Sequence, residues 1–281
     1  MRWCLALVPA YFACTVYSNY KNLMTKRGKP LLYSLKISHY VEKARWTLDL
    51  LGIDYDERFS YAVLGIVLTG KTLPTLQIDS RTILGDSDDI LAYLRGKYPK
   101  GNFLSAELSD EDRQLLDGMM EFGMHVRRFL YGHLLQKSPH IVKRLWREGT
   151  GPVVSAIGDF VLFPIAKQVL IVLLRIHPKG IERSRIEVDK VVDKIDALLS
   201  DGREFLNGKE LSELDIVFCS LAAVLVMEPK YGGGALPRLD DLDPETRAAV
   251  APYQARPFAS YCHRIYKKHR PAKAAAQITA A

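Results

Sequence analysis

A serine, Ser38, stands where the short apolar run "PLLYSL" hands over to a helical pattern in "SHYVEKARWTLDLLGIDYD". A hydroxyl at that point can donate to an anion, because the first turn of a helix has unpaired N–H groups and the positive end of its dipole. Ser is also among the preferred N-cap residues, and capping alone would account for it. Two more hydroxyls lie close by, Tyr33 on the apolar run and Tyr40 inside the helix. Asp86 and Ser87 open a later helix in "GDSDDI" and have the same double reading, anion site or cap.

Other chemistries lack a pattern. Cys4, Cys14, Cys219 and Cys262 are far apart with no CxxC, and the seven histidines form neither HxxxH nor HExxH, so no metal is expected and a reducing compartment fits. The chain has 281 residues, 48% hydrophobic and 25% charged, which is ordinary globular composition with room for two domains. A net charge of +7 is moderate, and along residues 179–194 Lys and Arg alternate with Asp and Glu as on a solvated helix face, so no nucleic-acid partner is expected.

The elements that would position these residues follow from periodicity. Val41, Ala44, Leu48 and Leu51 recur at helical spacing, with Glu42, Lys43, Arg45 and Asp49 on the other side and Gly52 as the stop. "DYDERFSY" alternates as a strand, "AVLGIVLTGKT" is too irregular to assign, and "TLQI" and "TIL" flank an Asp-Ser turn as a hairpin. Pro74 opens a strand and is a candidate cis peptide. A helix with Ile90, Leu91, Leu94 and Tyr98 on its apolar face completes an α/β unit with a four-stranded mixed sheet over residues 31–99.

"SHYVEKARWTLDLLGI", "LPTL", "GDSDDI" and "KYP", in this order, resemble the thioredoxin-like N-terminal domain of the cytosolic glutathione S-transferase superfamily. "FLNGKELSELDIVFCSL" is similar to the capping motif of that superfamily's all-helical C-terminal domain. Its physics is legible unaided: Ser212 at N-cap, Asp215 at N3 bonding back, and Leu211 packing on Ile216 as a staple. "ARPFASYCHRIYKKHR" resembles the closing helix, with Pro257 near its start. The expected organisation is a leader 1–29, a glutathione-binding domain 30–100, a helical domain 105–270 and a tail 271–281.

The resemblance implies glutathione as co-substrate and conjugation to a small hydrophobic electrophile, with Ser38 lowering the thiol pKa from about 8.5. Tyr40, and less directly Tyr33, are alternative donors. Leu73, held by cis Pro74, would offer its backbone to the cysteinyl moiety, and Asp86 and Ser87 would bind the γ-glutamyl end. His39 departs from the proline that many relatives carry, and is expected to be a partly exposed residue without a catalytic role. The absence of cysteine at residue 38 disfavours thiol-disulfide chemistry. The electrophile would lie against "DEDRQLLDGMMEFGMHVRRFLYGHLL", where Met124, His125, Arg127, Arg128 and Tyr131 could line it and two arginines would suit an anionic or polarised group. A cytoplasmic homodimer is implied. A scaffold without turnover, or a glutathione-dependent lyase or isomerase, would use the same fold.

Two apolar stretches stand apart. The run from Trp3 to Tyr17 is too short to span a bilayer and reads as a signal, an anchor or a superfluous leader before Met24. Residues 154–180 are interrupted by Lys167, Gln168 and Arg175 and by a kink expected at Pro164. They read as a buried helix, with a monotopic membrane contact as the lesser reading.

Overall fold

The computed structural model describes Tyr17 and residues 28–58, 73–147 and 158–271. The apolar run before Tyr17, the alternative start at Met24, the crossover "AVLGIVLTGKT" and the tail beyond Pro271 lie outside the described residues.

Strand β1 (Leu31–Tyr33) is fully buried. It pairs parallel with β2 (Asp56–Arg58) and antiparallel with β3 (Thr75–Gln77), which pairs antiparallel with β4 (Ile83–Leu84), giving the order β2-β1-β3-β4. A central strand covered on both faces must be apolar throughout, as "LLY" is. The hairpin closes on Asp79, whose carboxylate accepts from the N–H groups of Arg81 and Thr82 at 2.7 and 2.8 Å. Helix α1 (His39–Leu50) follows β1, and α2 (Ser87–Lys97) follows β4. This is the expected thioredoxin-like unit with a small mixed sheet.

The rest of the described chain is mostly helical. It comprises α3 (Asp110–Asp117), α4 (Met119–Lys137), α5 (Pro139–Arg147), α6 (Phe163–Leu173), α7 (Pro178–Leu199), α8 (Glu213–Ala222), α9 (Pro244–Gln254) and α10 (Pro257–His269). Helix α8 is buried along its whole length and packs on α1, α4 and α10. At its start the Asp215 carboxylate accepts from Ser212 N–H at 2.7 Å, Ser212 hydroxyl at 2.6 Å, Leu206 N–H at 2.7 Å and the Tyr261 hydroxyl. Helix α7 carries the expected charged face, with Arg185 bonded to Glu182 and Asp189 and Lys190 to Glu187.

The charged side of α1 is buried as well as the apolar one: Glu42, Lys43 and Arg45 are 0%, 1% and 4% exposed. Arg270, just past α10, reaches back to bond Glu42 at 2.8 Å and Asp49 at 2.6 Å, while Arg45 bonds Glu42 and Glu57, each at 2.6 Å. Burying charges is tolerated because each is paired. One expectation is corrected: within 154–180 the described part, residues 158–180, is not a buried helix. Helix α6 follows a π-turn, Gly158–Leu162, with Pro164 in its first turn, where a missing N–H costs least. Phe163 is buried, but Phe160, Val172 and Leu173 are 85%, 73% and 71% exposed. Among the described residues no helix is long and apolar enough to cross a membrane.

Candidate functional site at one end of the sheet

The strand register decides which expected residues meet. Tyr33 at the C-terminal end of β1 pairs with Thr75 at the start of β3, and Leu76 pairs with Leu84 at the end of β4. The loop bearing Ser38, the Leu73–Pro74 bond and the Asp86–Ser87 turn therefore leave the same end of the sheet. With strands about 4.8 Å apart, β1 and β4 flank β3 across about 10 Å. The Leu73–Pro74 peptide is cis, as the sequence suggested.

Ser38 is half-buried and is the N-cap of α1. Its Oγ accepts from Val41 N–H at a long 3.4 Å, which leaves the hydroxyl hydrogen available to an anion. On the other flank Asp86 caps α2 by accepting from Asp88 N–H at 2.8 Å. Ser87 is 1% exposed and its Oγ has no hydrogen-bond partner among the described residues. A buried hydroxyl without a partner is uncommon and costs about 1–3 kcal/mol. Lys43, itself buried, ion-pairs Asp88 and ties the start of α2 to α1.

The remaining hydroxyls are placed differently. Tyr33 is buried within the sheet. Tyr40 is 6% exposed and donates to Met120 O on α4 at 3.2 Å. Burial, with Asp88 and Asp86 adding to it, pushes its phenol up to about 12 despite the opposing charge of Arg127. Gly123 permits the approach, since a Cβ there would lie 2.8 Å from the Tyr40 hydroxyl.

His39 is not partly exposed as expected; it is 3% exposed, bonded to the Gly123 backbone, with Nε2 unpartnered. Burial first, and then the Arg127 charge, push its pKa down to about 3. The folded value lies below the ordinary 6.5, so the unfolded chain binds the extra proton. The stability that neutral His39 supports is present above pH 6.5 and lost as pH falls toward 3. The wild type should lose about 2 kcal/mol more than His39→Gln between neutral pH and pH 5. Denaturant unfolding of both proteins across that range checks this, and parallel curves would refute it.

Helix α4 divides the expected lining residues between two faces. Met120, Met124, Arg127 and Tyr131 share one stripe at helical spacing. Arg127 sits with its guanidinium 5.4 Å from the centre of the Tyr40 ring, Tyr131 is 7% exposed with its phenol raised to about 12 by burial, and Met124 is 43% exposed. His125 and Arg128 turn to the other side. His125 Nδ1 lies 3.1 Å from Ser184 Oγ on α7, and Arg128 donates to that hydroxyl at 2.9 Å and to Leu174 O at 2.6 Å.

Three contributors carried no sequence signal. Lys43 reads as an exposed helix residue. Tyr231 donates to Ile37 O at 2.8 Å from a turn 194 residues away, and Gly232 beside it, at φ +58, packs so that a Cβ would lie 2.9 Å from Lys36 O. Together Tyr231 and Gly232 hold the loop that presents Ser38. Among the described residues no group of three or more His, Cys, Asp or Glu side chains could hold a metal ion.

Solved structures similar to this chain include these three. A glutathione S-transferase from Rhodospirillum rubrum F11 is 18% identical, over 89% of this chain and 99% of that one, with a TM-score of 0.43. A beta-etherase from Sphingobium sp. strain SYK-6 is 18% identical over 84% and 99%, with 0.47. A theta class glutathione S-transferase from Xanthomonas axonopodis pv. citri, solved with glutathione bound, is 17% identical over 84% and 97%, with 0.44. No curated protein matches the sequence. Residues 32–102 match the family described as glutathione S-transferase, N-terminal domain, a span that contains Ser38, Pro74 and Ser87. The sheet, the two helices packed on it and the end where those three residues meet thus lie in the part of the chain that is similar to a glutathione S-transferase N-terminal domain.

Proposed function

We propose that the chain binds glutathione across this end of the sheet and conjugates its thiolate to a small hydrophobic electrophile. The observation that carries the reading is the convergence of Ser38, cis Pro74 and the buried, unpartnered Ser87 within the segment that matches the family. The span of about 10 Å between the flanking strands is about the length of three extended residues. The γ-glutamyl carboxylate would accept from the Ser87 hydroxyl and the first N–H groups of α2, where the dipole favours an anion. The Asp86 carboxylate would face the ammonium, and the backbone at Leu73 would hold the cysteinyl unit. The sulfur then reaches Ser38 at the start of α1. The hydroxyl donates to the thiolate and stabilises it after the thiol proton has passed to water. In the conjugation the sulfur lone pair forms the new carbon–sulfur bond, and the leaving group departs with its bonding pair.

Titration calorimetry with glutathione tests the site. Ser87→Ala is expected to weaken binding about tenfold, the worth of one hydrogen bond to a carboxylate. No binding by the folded wild type would refute the glutathione site and leave the scaffold reading. Binding unchanged in Ser87→Ala would reduce Ser87 to a residue of the helix start.

A further inference from the structure

We infer that the electrophile carries a carboxylate and that Arg127 binds it, a substrate class that rests on the conjugation reading above. Arg127 is half-buried on the stripe of α4 that faces α1, stacked against the ring of Tyr40, two residues beyond Ser38. Its Nε is buried and has no hydrogen-bond partner among the described residues. Arg45, Arg95, Arg185, Arg203, Arg256 and Arg270 each hold a carboxylate. Arg127 holds none among the described residues, so its charge acts outward on its neighbours. Behind burial, which is the larger cause at each, its charge adds to the lowered pKa of His39 and, after Arg175 and Arg183, of Arg128, and it opposes the rise that burial causes at Tyr40 and Tyr131.

Of the acidic groups at the start of α2 whose charge reaches the Tyr40 ring, Asp88 pairs with Lys43 and Asp86 accepts from the N–H of Asp88, and neither bonds Arg127. His39 is neutral, so it supplies no competing charge. A guanidinium kept against an aromatic ring without a counter-ion is stable where an anion completes it, and its planar fork suits a carboxylate. Arg128 is not part of this site, because its Nε and one Nη are bonded to Leu174 O and Ser184. Met124 and Tyr131 on the same stripe offer an apolar wall, so the ligand is an apolar body with a carboxylate at one end.

The test compares 4-chloro-3,5-dinitrobenzoate with its methyl ester, both with glutathione as nucleophile. In each, the sulfur displaces chloride, which leaves with the carbon–chlorine pair; the ester activates the ring more than the carboxylate does, and comparing the acid-to-ester ratio between variants cancels that difference. The ratio of kcat/KM for the acid over the ester is expected to fall about 10- to 100-fold in Arg127→Gln and to recover in part in Arg127→Lys. A ratio unmoved by Arg127→Gln overturns the inference. Should the wild type turn over neither compound, the conjugation reading fails, and calorimetry with unreactive 4-nitrobenzoate and its methyl ester decides the site separately. A preference for the anion that Arg127→Gln abolishes upholds the carboxylate site, and the absence of a preference overturns it. Melting curves establish that each variant is folded.

Discussion

Replacing Ser38 by alanine is expected to lower kcat/KM for conjugation about 25-fold at pH 7 and by less than about twofold at pH 9. The hydroxyl donates to a sulfur anion, and a hydrogen bond to a charged group is worth about 1.5–3 kcal/mol, or about two pKa units at the upper end. A thiol moved from about 8.5 to about 6.5 is mostly thiolate at pH 7, whereas the unassisted thiol is about 3% ionised. At pH 9 both are ionised and the advantage fades, so the mutant's rate should rise with pH where the wild type is already level. The half-buried setting of Ser38 and its long 3.4 Å bond from Val41 N–H are consistent with a hydroxyl held in reserve. If Ser38 were only a helix cap, alanine would cost about 1 kcal/mol of stability and leave the pH profile in place. A pH–rate profile of both proteins separates the two roles, and coincident profiles would end the catalytic one.

Asp215→Ala should destabilise the protein by about 4 kcal/mol, an effect on folding and not on the chemistry. The carboxylate is fully buried and accepts from the backbone of Leu206 and Ser212 and from the hydroxyls of Ser212 and Tyr261. Each donor left in the core without a partner costs about 1–3 kcal/mol, and the losses are not additive because the groups share one acceptor. The Tyr261 hydroxyl comes from α10, so the same carboxylate that starts α8 also fastens it to the closing helix. Urea unfolding followed by tryptophan fluorescence measures the change, and a loss below about 1 kcal/mol would mean that water satisfies these donors. Asp215→Asn, which retains one carbonyl acceptor, should fall between alanine and wild type.

Local rules made the elements around the site legible. The Asp79 turn, the caps at Ser38, Asp86 and Ser212, and the cis bond at Pro74 are each decided within a few residues, so short motifs report them. The α/β unit with its mixed sheet followed by helices was legible for the same reason, since periodicity changes where the elements change. The limits of that reading are equally specific. The hydrophobic pattern of residues 154–180 suggests burial, yet Phe160, Val172 and Leu173 face outward, because hydropathy says how much a side chain gains from cover and not whether cover is present. His39 was expected near the surface, and Gly123 of α4 closes over it.

Helix α1 shows the division most plainly. The sequence by itself determined that it is a helix, where it starts and which side carries Val41, Ala44 and Leu48, because capping and helical spacing are local properties. Only the tertiary structure decided that its charged side is also buried. Arg270, 228 residues from Glu42, and the turn at Tyr231 and Gly232 close over it and supply the partners that make burial of Glu42 and Arg45 tolerable. The same holds for the site. Three short motifs named Ser38, Pro74 and Ser87, but the strand register set them at one end of the sheet, and the packing of α4 on α1 left Arg127 against Tyr40 without a counter-ion among the described residues. Pairing and burial depend on residues brought together from distant parts of the chain, and no local spacing encodes them.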